Sequence, residues 1–99
     1  MPIVSFTRFK SDKAEEIVKA AKQAKTIFEK HGAEFLRLSR FHTGNWAGEY
    51  LITVRFANWE AYGKVQEAVA KDEAFAKLVA HTATFAELKG RNIVVGIDL

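Results

Sequence analysis

Cysteine is absent from the 99 residues, which excludes disulfides, thiolate nucleophiles and sulfur-ligated metals and gives no reason to expect an oxidising compartment. The expected location is the cytoplasm. No segment approaches the ~20 apolar residues that span a bilayer. Met1-Pro2-Ile3-Val4-Ser5-Phe6-Thr7-Arg8 has no basic stretch leading into a long apolar run, so neither secretion nor a membrane partner is expected. Charge of one sign is not concentrated. The net charge is +3, but Lys13, Lys19, Lys22, Lys25 and Lys30 are mixed with Glu15, Glu16 and Glu29. That is the pattern of a solvated helix face, whereas a nucleic-acid footprint needs clustered charge with aromatics. No nucleic-acid partner is expected. His31, His42 and His81 lack metal-ligand spacing, and there is no glycine-rich phosphate loop or Ser-His-Asp order. No metal and no cofactor are therefore expected, and no repeat, linker or low-complexity tract divides the chain.

What is present is 48% hydrophobic and 27% charged, the balance of a globular protein. The length suits one domain over residues 1–99. Ile3 to Phe9 alternates and is rich in β-branched and aromatic residues, as a strand does. Asp12 followed by Glu15 resembles a capping box, and Ala14, Ile17, Val18, Ala21, Ala24, Ile27, Phe28 and His31 recur at helical spacing until Gly32 stops the helix. Glu34 to His42 and Glu49 to Ala57 read as the strands of a hairpin around Thr43-Gly44-Asn45-Trp46-Ala47-Gly48. Asn58 caps a second helix, and Asp72 starts a further helical piece that Gly90 closes. Arg91 to Leu99, with Ile93-Val94-Val95-Gly96-Ile97, reads as a strand buried on both faces. The order is β-α-β-β-α-β in an α+β domain.

In such a domain the helices cover one sheet face. Tyr50, Ile52, Val54 and Phe56, with Leu36 and Leu38, form that face. The opposite face then carries Phe35, Arg37, Ser39 and Phe41 beside Leu51, Thr53, Arg55 and Ala57, joined by Ser5, Thr7 and Phe9 if Val4 and Phe6 turn inward. Phe35, Phe41, Leu51 and Phe9 together make an apolar patch that asks for a cover. A second copy is the economical one, so a homodimer is expected.

The element order, the Gly44…Gly48-Glu49-Tyr50 hairpin, the step Phe56-Ala57-Asn58-Trp59-Glu60-Ala61-Tyr62 and the restart Asp72…Phe75 resemble the dimeric α+β barrel superfamily. Its members include antibiotic-biosynthesis monooxygenase-like, EthD-like and NIPSNAP-like proteins. The resemblance covers essentially the whole chain. It implies a ferredoxin-like four-stranded antiparallel sheet with helices on one face, two such sheets packed into a dimeric barrel, and a ligand cavity in each protomer. Activities on this scaffold are diverse, so the resemblance speaks for fold more than for reaction.

Candidate chemistry gathers at a few residues. If the hairpin strands pair in the tightest register, with residue numbers summing to 92, Arg37 opposes Arg55. Opposed like charges are unfavourable and call for a carboxylate of the partner subunit or for a bound anion, which the two guanidinium groups could clamp. The same register sets His42 opposite Tyr50, a pair suited to general acid–base work or to a structural hydrogen bond. His81 borders the core on the last helical piece, as a boundary histidine or a catalytic one. Trp59 and Tyr62 could line a planar ligand or simply anchor the core, and Trp46 is expected against the other subunit. Three functions stay open. One is a cofactor-free monooxygenase-like enzyme for a small aromatic or acidic substrate. Another is a ligand-binding or stress-associated dimer without turnover. The third is a haem-binding or haem-degrading variant using Trp59 and His81, although Ser5 and Thr7 stand where haem-degrading relatives carry Asn.

Overall fold

A computed structural model describes all 99 residues. Its elements are β1 (Ile3–Lys10), α1 (Ala14–Lys30), β2 (Phe35–Arg40), β3 (Tyr50–Phe56), α2 (Trp59–Ala70), α3 (Glu73–Thr82) and β4 (Glu87–Val95). The strands form one antiparallel sheet in the order β2-β3-β1-β4, with the helices packed on one of its faces. This is the expected ferredoxin-like α+β fold, its second helical region split in two at Asp72.

Local chemistry explains most boundaries. The side chain of Asn58 accepts a hydrogen bond from the Ala61 N–H at 2.8 Å, and that of Asp72 accepts from the Ala74 N–H at 2.9 Å. Each satisfies a backbone donor that a helix start leaves free. Gly32, at φ 112°, ends α1 in a conformation that side chains avoid. The start of α1 differs from expectation, because Asp12 makes no cap. The N-cap position is Lys13, with no side-chain cap, and Ser11 just before it has its hydroxyl accepting from the Lys13 N–H at 3.0 Å and donating to the Phe85 carbonyl at 2.6 Å. The strand-to-helix turn is thereby tied to the approach to β4.

Where α1 ends it meets the start of α3. His31 Nε2 lies 2.7 Å from the Asp72 carboxylate and Lys30 Nζ 3.2 Å from it. The hydrogen bond from His31, then that from Lys30, lowers the Asp72 carboxyl to about 2. The cap of α3 thus stays ionised well into the acid range and joins two helices that already share the core.

That core is built from Ile3, Ala24, Ile27, Phe28, Leu36, Val54, Phe56, Val65, Val69 and Leu78. Phe56 and Ile3, paired across β3 and β1, are both 0% exposed. The inward parity of β2 and β3 is as expected, but that of β1 is reversed. Ile3, Ser5, Thr7 and Phe9 share the face of Phe56, Val54, Ile52 and Tyr50, while Val4, Phe6 and Arg8 lie with Arg55, Thr53 and Leu51. Both parities of β1 carry large apolar groups, so alternation alone does not choose between them. Arg8 does, because its charge is more easily satisfied on the outer face, where it meets Glu49 at 2.7 Å.

β4 also departs from expectation. It begins at Glu87, contains Gly90 rather than following it, and is an exposed edge strand rather than a buried one. Gly90 sits beside a register shift opposite Arg8 and Phe9. A Cβ there would come within 3.2 Å of the Arg8 guanidinium, so this glycine makes room for a side chain and does not stop a helix.

Candidate functional site

The sheet and helices do not close on each other completely. Between them lies a cavity of about 550 Å³ lined by 20 residues, 16 of them hydrophobic. Its floor follows the cross-strand rows of the sheet. The innermost row is Leu36, Val54 and Ser5, and the next is Leu38, Ile52, Thr7 and Arg91. Tyr50, Phe9 and Leu88 close the floor toward the hairpin. The roof comes from Ile17, Ala20, Ala24 and Phe28 of α1 and from Phe75, Leu78, Val79 and Thr82 of α3, followed by Ala83 and Ala86. Helical spacing puts the small residues Ala20 and Ala24 on the sheet-facing stripe of α1, where a larger side chain would fill the space. Leu36, Ser5, Val54 and Leu78 are buried, whereas Leu88 is 60% and Val79 51% exposed. The mouth therefore lies between β4 and the second half of α3.

Polar groups in this wall are few. Ser5 is the only buried polar residue of the chain. Thr7, Thr82 and the Tyr50 phenol add hydroxyls, and Arg91 supplies the one charge. No histidine, lysine, carboxylate or thiol lines the cavity. Such a wall can exclude water and orient a ligand by a few hydrogen bonds. Tyr50 supplies its only phenol.

The structure distributes the residues expected from sequence over several places. Tyr50 lines the cavity. His42 lies in the exposed hairpin loop, because β2 and β3 pair with residue numbers summing to 90, which sets Arg40 opposite Tyr50. The hairpin closes through the Phe41 N–H to the Glu49 carbonyl and the Gly48 N–H to the Phe41 carbonyl, leaving His42 outside the ladder. His81 stands on the outer flank of α3 with its side chain 63% exposed, 4.0 Å from Glu16 and edge-on to Phe85. Trp59 and Tyr62 stack edge-to-face on α2, Tyr62 resting against Phe56, away from the cavity wall.

Arg37 and Arg55 lie on the outer sheet face but do not oppose each other. Arg37 faces Thr53 and Arg55 faces Phe35. Arg37 stacks on the Phe35 ring at 4.0 Å, and Arg55 pairs with Glu34 of its own chain at 3.1 Å, so the like-charge conflict disappears. On the same face Trp46 lies under the Arg8 guanidinium at 3.9 Å and edge-on to Phe41, packed within its own chain. With Phe6, Leu51 and Asn92 these residues frame a shallow depression of about 240 Å³.

Sequence reasoning missed Ser5, Thr7, Thr82 and Arg91. The signal for the first two was the charge of Arg8 on the opposite parity. For Arg91 it was the alternation Arg91, Ile93, Val95, which sets it on the helix-facing side of β4. No three His, Asp or Glu side chains are grouped to hold a metal, and no helix is long and apolar enough to cross a membrane. The cavity wall holds no His, Met or Cys, and both Trp59 and His81 lie outside it.

Residues 3–96 match the model of a family described as a domain of unknown function, DUF6854. No curated protein matches the chain. Among solved structures, a NIPSNAP family protein from Agrobacterium tumefaciens superposes with a TM-score of 0.76 at 13% identity, over 99% of this chain and 95% of that one. An uncharacterised NIPSNAP domain protein from Burkholderia xenovorans gives 0.75 at 15% identity, over 98% and 95%. A cofactor-independent oxygenase, SnoaB from Streptomyces nogalater, gives 0.71 at 13% identity, over 99% and 95%. These likenesses show a shared ferredoxin-like α+β fold.

Proposed function

We propose, for a chain that belongs to the DUF6854 family of domains of unknown function, a role in binding a small, mainly apolar molecule between its sheet and its helices. The observation that carries this reading is the cavity of about 550 Å³ with its apolar wall, within the size range of small-molecule sites. The Ser5 hydroxyl and the Tyr50 phenol, both in this wall, would orient the guest. The working unit in this reading is a cytoplasmic homodimer of single-domain chains. Its partner surface is the outer sheet face, where Val4, Phe6, Phe35, Phe41 and Leu51 are gathered.

Monooxygenase-like turnover of an oxidisable aromatic is a second reading, supported by the fold shared with the cofactor-independent oxygenase and by Tyr50 in the wall. It asks for a substrate that is itself acidic, because no histidine or carboxylate lines the cavity to act as a base.

Blocking the space tests the binding role. Wild-type protein should bind 2-naphthalenemethanol saturably at one molecule per chain by calorimetry. Ala20→Phe, which projects a ring into the cavity, should lose that binding by on the order of tenfold or more while its thermal midpoint stays the same or rises. Unchanged binding in Ala20→Phe would place the molecule elsewhere and end this reading.

A further inference from the structure

Five arginines stand in the chain, and four of them are engaged. Arg8 pairs with Glu49 and Arg55 with Glu34. Arg40 donates to the Gly48 carbonyl, and Arg37 lies over the Phe35 ring. Arg91 alone has no carboxylate, carbonyl or ring beside it. It is also the only charged residue in the cavity wall, next to Thr7 across the β1–β4 ladder. Glu87 of the same strand pairs with Lys89 at 3.3 Å, and Glu16 of α1 lies 3.9 Å from Lys19 and 4.0 Å from His81.

We infer that Arg91 recognises an anionic group, so that the guest is an amphipathic monoanion. Its apolar body lies against the α1 alanines, and its carboxylate or an equivalent oxyanion sits at the mouth. This inference rests on the cavity reading and names its ligand class. A guanidinium presents a planar fork of N–H donors that matches a carboxylate in two parallel bonds. The Thr7 hydroxyl, on the neighbouring strand, is placed to donate a third. The rest of the wall is apolar except for the hydroxyls of Ser5, Tyr50 and Thr82 and holds no second charge, so the anion fixes the direction in which the molecule enters. A neutral analogue of the same shape would keep the apolar contacts and lose the charged hydrogen bonds.

The test compares 2-naphthoate with 2-naphthalenemethanol, which share a ring system and differ in charge. Calorimetric titration of the wild-type protein should give the carboxylate an advantage on the order of tenfold. Arg91→Met should remove that advantage. Arg91→Lys should retain part of it, and Arg37→Met, on the other sheet face, should leave it intact. Equal binding of acid and alcohol by the wild type overturns the inference but not the cavity. An advantage that survives Arg91→Met, or falls equally in Arg37→Met, reflects the overall positive charge and overturns it too. If neither compound binds, the cavity reading and this inference fall together.

Discussion

Phe56→Ala should destabilise the fold by about 3–5 kcal/mol, the range for truncating a fully buried aromatic. Phe56 is 0% exposed, paired with Ile3 across the ladder, and set edge-to-face against Tyr62 with centroids 5.1 Å apart. It joins the end of β3 to α2, so its loss opens a hole where sheet and helix depend on one another. A domain of this size is stable by about 5–15 kcal/mol in all, so one truncation could remove much of the total. Urea denaturation should show a lower midpoint with an unchanged slope. Trp59, only one residue beyond the Asn58 cap but 56% exposed, supplies the contrast. Trp59→Ala should cost no more than about 1 kcal/mol, the edge-to-face contact with Tyr62 being its main loss. Similar midpoints for the two variants would mean that this end of the molecule is not packed as described.

Phe6→Asp should weaken self-association by at least about 30-fold, the effect of losing a central interface residue worth about 2 kcal/mol. Phe6 lies in the middle of the outer face, flanked by Asn92 on β4 and Thr53 on β3. The Arg8 and Trp46 cluster lies to one side. In a face-to-face dimer an aspartate there would be buried without a partner, which costs far more than the lost apolar contact. In the separate chain the same aspartate is solvated, so the fold should survive with unchanged circular dichroism. Sedimentation velocity over a range of concentrations decides the matter. A wild-type chain that is already monomeric at micromolar concentration would remove the second copy as the cover for this face.

The parts legible in the sequence were those where one local rule acts alone. The helical spacing of α1, the caps at Asn58 and Asp72, the glycine stop at Gly32 and the inward parity of β2 and β3 all follow from short-range chemistry. The expected family resemblance and the observed fold agree. The site was far less legible. Its walls depend on the parity of β1, where Ile3 and Phe9 compete with Val4 and Phe6, and on where β4 begins. Gly90 has the sequence signature of a helix stop, yet its smallness serves the Arg8 side chain across the ladder. The hairpin register depended on a loop whose own packing, Trp46 on Phe41 and Arg8, sets it two residues from the tightest alternative. That shift separated Arg37 from Arg55 and His42 from Tyr50. A cavity is also a deficit of volume. Ala20, Ala24 and Ser5 make it by being small, and small residues on an inward stripe look the same in sequence whether they pack tightly or leave a space.

The central claim is that the space between sheet and helices is where a ligand binds. Its most direct test is a backbone and methyl NMR titration of the protein with 2-naphthalenemethanol. Perturbations should concentrate at Ser5, Thr7, Ala20, Ile52, Leu78 and Thr82, and should be small at Arg37, Arg55, His42 and Trp46. Shifts confined to the outer sheet face or the hairpin loop, or no saturable shifts at all, would contradict it.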